Sequence, residues 1–202
     1  MVLDKKELRK EQKRREILAS AEQVFARQGF YVTTMEEIAA ECGWSKGTLY
    51  LYFKSKEDLF FSIMIEKVDQ FGDTLELVLN EAHNLEQCID SLIHSQFQFF
   101  ITNKDFFQLA VSEQGKILHS SDTGLRESLI QKQHQHMVMT SQALGKHLPK
   151  NSLVSTETLA RSILGSINIH TLSWLLMPEI IDVEQIKREM TELFLNGVNP
   201  HA

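Results

Sequence analysis

The segment Ser45-Lys46-Gly47-Thr48-Leu49-Tyr50-Leu51-Tyr52-Phe53 carries two kinds of side chain on one short helical run. Leu49 and Phe53 stand one turn apart and form an inward edge. Lys46, Gly47, Thr48, Tyr50 and Tyr52 point away from that edge, and all are small, basic or hydrogen-bonding. Such a surface suits the groove of a DNA duplex. Glycine in a helix costs about 1 kcal/mol relative to alanine, so Gly47 implies close approach of the backbone to something large; a tolerated surface glycine is the alternative.

The residues upstream position this segment. Ala39, Gly43 and Leu49 fall four and then six apart, the spacing of a helix-turn-helix. A small residue at 39 lets two helices approach, Gly43 supplies the positive φ of the turn, and Leu49 packs beneath. The preceding helix opens at Thr33 or Thr34, since Thr33 with Glu36 and Thr34 with Glu37 are both possible capping boxes. Met35, Ile38, Ala39 and Cys42 then share its buried face. Ser45 is a suitable N-cap for the segment itself.

Residues 14–61, from Arg14-Arg-Glu-Ile-Leu18 through Gly29-Phe-Tyr-Val-Thr-Thr34 to Ser45 and on to Phe61, resemble the DNA-binding domain of TetR-family transcriptional repressors. The likeness covers about a quarter of the chain. It implies that Lys46, Thr48 and the Gly47 backbone face bases, while Thr34, Tyr50, Tyr52 and Lys56 hold phosphates, with Ser45 among the contacts. Trp44 replaces the small aliphatic residue common in the family, and either packs in the turn or reaches the DNA. The resemblance also implies a homodimer and a releasing ligand, and leaves the ligand's identity open.

Composition agrees with this reading. The chain has 202 residues, three prolines and 43 % apolar residues, which suits a mostly helical protein with a small DNA-binding module and a larger bundle. Residues 1–60 hold 11 Lys or Arg against 10 Asp or Glu, and the remainder 10 against 17, so an overall charge of −6 conceals a slightly basic N-terminal part. Seven basic residues lie between Lys5 and Arg15, an arm that can neutralise phosphates or remain a solvated tail. Two cysteines 46 residues apart form neither a disulfide framework nor a metal motif, which points to a reducing cytoplasm. No apolar run reaches the roughly 18 residues of a membrane span. No catalytic constellation, cofactor motif or metal-ligand spacing is present; His134 and His136 are two apart on a helix and point in different directions.

The remaining periodicity predicts helices at about 10–28, 56–80, 85–102, 105–117, 124–147, 155–176 and 182–197. The expected fold is all-α, with an N-terminal helix-turn-helix domain over 1–54 and a ligand-binding and dimerisation bundle over 55–202. Eight of the twelve phenylalanines lie between 60 and 107, and Phe97, Phe100, Phe107, Met137 and Trp174 are the candidate lining of a pocket for a small apolar effector. A dry aromatic core would use the same side chains. Leu159, Ile163 and Ile167 of one helix, with Val183, Ile186, Met190 and Leu193 of the next, form apolar stripes that predict a four-helix dimer seam. The function expected is a homodimeric repressor on a palindromic operator, released by that effector. The alternatives are a regulator or activator without a ligand, and a helical enzyme or carrier with an incidental helix-turn-helix.

Overall fold

The computed structural model describes residues 5–117 and 123–198. Every regular element among them is a helix: α1 (Lys5–Gln28), α2 (Met35–Cys42), α3 (Lys46–Tyr50), α4 (Lys56–Glu81), α5 (Leu85–Thr102), α6 (Lys104–Ile117), α7 (Thr123–Gly145), α8 (Thr156–Leu176) and α9 (Val183–Val198). None is long and apolar enough to cross a membrane. The described residues divide into two compact units, one drawn from 1–67 and 105–129, the other from 68–104 and 130–202.

The first unit is built around an apolar face of α1. Ile17, Leu18, Ala21, Val24 and Phe25 recur at helical spacing and are buried. Gly29, at φ 85°, ends the helix, and Phe30 turns inward. Its ring lies 5.5 Å from Phe25 and 5.2 Å from Phe60. Phe60 also meets Phe25 edge-on at 5.6 Å and stacks on Phe106 at 5.2 Å. Phe106 belongs to α6, so this core draws on a helix that begins more than fifty residues after α3 ends, and Phe107, Leu109 and Ala110 pack against it as well. The division at 54/55 suggested by periodicity therefore differs from the packing. The first turns of α4 and α6 from Asp105 on lie in the N-terminal unit, because Leu59, Phe60, Ile63 and Phe106 complete its interior.

In the second unit α5 is the central helix, burying Cys88, Ile89, Leu92, Ile93, Gln96 and Phe97. It packs on α8 and α9. The buried stripe of α8 is Leu159, Ala160, Ile163, Ile167, Thr171 and Trp174, and α9 turns Val183, Lys187 and Met190 inward. α7 joins this unit through Thr140, Ala143 and Leu144, all buried. It passes close to α4: a Cβ on Gly72 would stand 2.6 Å from Nε2 of His136, whose ring lies edge-on to Phe71 at 5.6 Å. Burial there holds the His136 pKa below its ordinary value.

Two local devices fix the loops of the first unit. Gly43, at φ 70°, closes α2 with its own N–H on the Ala40 carbonyl (3.1 Å) and the Trp44 N–H on the Ala39 carbonyl (2.9 Å). That is a Schellman closure, which a side chain at 43 would strain. Across the unit, Lys56 Nζ donates to the backbone carbonyls of Tyr31 (3.1 Å) and Thr33 (2.8 Å) and sits 4.6 Å above the Phe30 ring. The lysine at the start of α4 thereby pins the link between α1 and α2.

Gly43→Val should lower the unfolding free energy by about 1–2 kcal/mol or more, the cost of a left-handed conformation with a Cβ, while Gly43→Asn should cost less; urea unfolding checks both. Lys56→Met removes two charge-assisted hydrogen bonds and should cost about 1–3 kcal/mol. It should also speed amide exchange through residues 31–34, whereas unchanged exchange there would mean that the lysine does not order the link.

Candidate nucleic-acid interface

The N-terminal ends of α2 and α3 are each fixed by a side-chain cap. Of the two candidate capping boxes, the one formed is Thr34 with Glu37. Thr34 Oγ1 accepts the Glu37 N–H (3.2 Å), and the Glu37 carboxylate accepts the Thr34 N–H (2.8 Å). The Thr34 N–H and the Thr34 hydroxyl, which donates to the same carboxylate oxygen at 2.9 Å, hold the Glu37 pKa down. Thr33 is buried instead, donating its hydroxyl to the Gly29 carbonyl at 2.7 Å. Glu36 is left out of any cap and stands exposed on the first turn of α2. Arg27 and Glu41 form a bidentate pair, at 3.2 and 2.8 Å, that ties the end of α1 to the end of α2.

Ser45 caps α3 as expected, its Oγ accepting the Thr48 N–H at 3.1 Å and lying 2.9 Å from the Thr48 hydroxyl. Helical geometry stops at Tyr50, shorter than the nine-residue run suggested, and Leu51 and Tyr52 form a turn. Leu49 and Phe53 are buried, while Ser45, Lys46 and Gly47 are exposed and Thr48 is half-buried. A Cβ on Gly47 would approach only Ser45 Oγ, at 3.8 Å. The chain's own packing thus places no demand for glycine there.

Aromatic groups flank this face. Tyr50 is 47 % exposed, with the Lys46 ammonium 5.8 Å from its ring. Tyr52 is half-buried against the core. Trp44 is half-buried: its ring packs against the core, with Lys13 of α1 4.5 Å above it. Leu51, which sequence reasoning passed over, is 80 % exposed just past α3. Sequence reasoning also missed Glu36, which forms an ion pair with Lys46. That contact raises the lysine pKa and lowers the carboxylate's. A ten-residue separation across a turn leaves no periodic signal by which the pair could be found.

The residues suggested for an effector pocket are distributed between the units. Phe97 and Trp174 are buried in the second unit, Trp174 with Lys104 5.4 Å from its ring, and Phe100 and Met137 are half-buried there. Phe71, Phe99 and Phe100 form a row with centroids 5.0 and 5.8 Å apart. Phe107 is elsewhere, against Phe106 in the first unit.

The suggested dimer seam needs correction. Leu159, Ile163, Ile167, Val183 and Met190 are buried within the single chain, because they are the stripes with which α8 and α9 pack in their own unit. Only Leu193, and in part Ile186, remain accessible. The adjacent stripes face outward instead. On α8 these are Ser162, Gly165, Ile169 (57 % exposed) and Leu176 (60 %), and on α9 Glu189 and Leu193 (67 %).

Residues 17–63 match the family model for bacterial regulatory proteins of the tetR family. Over most of its length the chain is similar to the fatty acid metabolism regulator protein of Bacillus subtilis (strain 168). The two are 23 % identical over 187 residues, covering 91 % of this chain and 94 % of that protein. Among solved structures, the fatty acid degradation regulator FadR from Bacillus halodurans superposes with a TM-score of 0.74 at 23 % identity, over 92 % of this chain and 96 % of that one. FadR from Bacillus subtilis, solved in complex with stearoyl-CoA, superposes at 0.72 and 22 % identity, over 91 % and 98 %. At these identities the superpositions bear on the fold. Turn geometry and capping pattern agree with the family match: residues 17–63 carry the helix-turn-helix of bacterial regulatory proteins of the tetR family.

Proposed function

We propose that this protein is a homodimeric repressor that binds a palindromic operator through α3 and leaves it when a long-chain acyl compound, such as an acyl-CoA thioester, occupies the second unit. The observation that carries the DNA reading is the surface at 45–48. Ser45, Lys46 and Gly47 stand exposed on a short helix anchored by buried Leu49, and Gly47 omits a side chain where the chain itself has room for one. A glycine that costs helix stability and relieves no internal crowding is explained by an external surface close to its Cα. In this reading Lys46, Thr48 and the Gly47 backbone face base edges, and Thr34, Ser45, Tyr50 and Tyr52 approach phosphates. Trp44 supports the turn, and Lys56 sets the link that leads into Thr34.

A second copy is needed because one five-residue helix spans too few base pairs to be specific. Two copies about a two-fold axis would place their α3 helices about 34–36 Å apart, or somewhat farther, and read an inverted repeat. The outward stripes of α8 and α9 are the surface we assign to that contact: small Ser162 and Gly165 permit close approach, and Ile169, Leu176 and Leu193 supply apolar area. A groove of about 700 Å³ on α9, lined by Arg188, Glu189, Glu192, Leu193 and Asn196, gives the partner a place to seat.

The effector reading rests on the relative whose structure holds stearoyl-CoA and on the aromatic side of the second unit. Phe97, Phe100, Met137 and Trp174 are the candidate lining for the acyl chain; Phe107 is dropped, since it completes the other core.

Ile169→Glu with Leu193→Glu should produce helical monomers, seen by sedimentation, that lose operator affinity, because burying unpaired charge at an interface is costly. An intact dimer with full DNA binding would move the interface elsewhere. Stearoyl-CoA should release the wild-type protein from its own upstream DNA in a gel shift. At a hundredfold excess over its Kd it should stabilise the fold by about 2.7 kcal/mol. Absence of both effects with fatty acyl-CoA of any chain length would remove the acyl reading and leave the DNA-binding one intact.

A further inference from the structure

The ion pair between Glu36 and Lys46 joins the first turns of α2 and α3 on the face assigned to DNA. Folding does not account for it. Its side chains are 57 % and 52 % exposed, and pairs so placed add little to stability. Nor does simple attraction to DNA account for it, since a carboxylate on that face is repelled by phosphates and occupies the one lysine of α3. What remains is recognition by the pair as a unit. The Lys46 ammonium is held between the Glu36 carboxylate and the Tyr50 ring, so a donor and an acceptor are presented side by side.

The major-groove edge of a G·C pair offers the complement, two acceptors on guanine (N7 and O6) beside one donor on cytosine (the N4 amine). An A·T pair offers acceptor, donor, acceptor, so a lysine beside a carboxylate finds one acceptor flanked by an amine rather than two together. We propose that Glu36 is a specificity-determining residue: with Lys46 it reads one G·C pair in each half-site, Lys46 donating to the guanine and Glu36 accepting from the cytosine amine. This rests on the reading of α3 as the base-contacting helix. It adds a second helix, and a negative charge, to the set that chooses sequence. Glu36 also keeps Lys46 from serving as an unrestrained phosphate contact, which suppresses binding to arbitrary DNA.

The test is selection of binding sites from a randomised duplex pool by the full-length wild type, Glu36→Gln and Glu36→Asp, followed by affinities on the selected duplex and on single-pair variants across a salt series. Both substitutions are at an exposed position outside the cap, so both variants should melt with the wild type. At one symmetric position the wild type should lose roughly 5- to 150-fold when G·C becomes A·T, the usual cost of one wrong pair. Glu36→Gln should lose that discrimination and bind arbitrary duplex more tightly, with a salt slope steeper by up to about 1, while Glu36→Asp should retain most of the preference. A Glu36→Gln protein that binds every duplex more tightly with an unchanged base preference would overturn the proposal and make Glu36 a repulsive charge only. A wild type that enriches no sequence at all would instead overturn the operator reading beneath it.

Discussion

Four phenylalanine rings meeting around Phe60 are the contact on which the DNA-binding unit depends. Phe25 brings α1, Phe30 the link to α2, Phe60 α4 and Phe106 α6, with neighbouring centroids 5.2 to 5.6 Å apart. Each such pair adds about 0.5–1.5 kcal/mol beyond the area it buries, and a buried phenylalanine is worth about 3–5 kcal/mol against alanine. A domain is commonly stable by only about 5–15 kcal/mol, so this cluster decides whether the module folds. Its membership also has a functional consequence. The orientation of α2 and α3 is set by Ile38, Ala39 and Leu49 in the same interior that receives Phe106. A rearrangement of α6 would therefore be felt in the packing beneath α3.

Electrostatics in this unit follow a pattern of assigned cations. Lys67 is buried and paired with Glu22 at 2.7 Å, with Phe106 5.3 Å away; Lys56 spends donors on two backbone carbonyls; Lys46 is paired with Glu36. A surface made of unrestrained lysines would bind any phosphate backbone, with strong salt dependence and little choice. Lysines held at fixed places give up part of that general attraction and keep directional donors. The near balance of charge in residues 1–60 fits a reader of sequence better than a general polyanion binder.

The helix-turn-helix was legible because its constraints are local. Thr34 with Glu37, the positive φ at Gly43 and the buried Leu49 each follow from a few neighbouring residues. Helix positions were legible for the same reason. The dimer seam was not. α8 and α9 each carry apolar residues on more than one face, and periodicity cannot tell which of them the chain keeps for its own core. Ile163 and Met190 went inward, while Ile169 and Leu193 went outward. Nor could spacing show that Phe106 and Phe107 leave the aromatic group of 97–100 for the N-terminal core, or that Lys56 reaches back more than twenty residues to Tyr31 and Thr33. Such contacts depend on where helices cross, which one chain's pattern of apolar residues does not encode.

The proposed operator binding and its specificity both depend on α3, entered from α2, being the surface that meets DNA. Hydrogen–deuterium exchange of the full chain, free and bound to a duplex selected from a random pool, measures this at the backbone. In the short α3 the amides of the first turn have no helical carbonyl to bond, and the Ser45 cap takes only that of Thr48. Residues 34–37 and 45–50 should therefore gain the largest protection on binding. Protection absent from both segments, and found only in the second unit, would contradict the account.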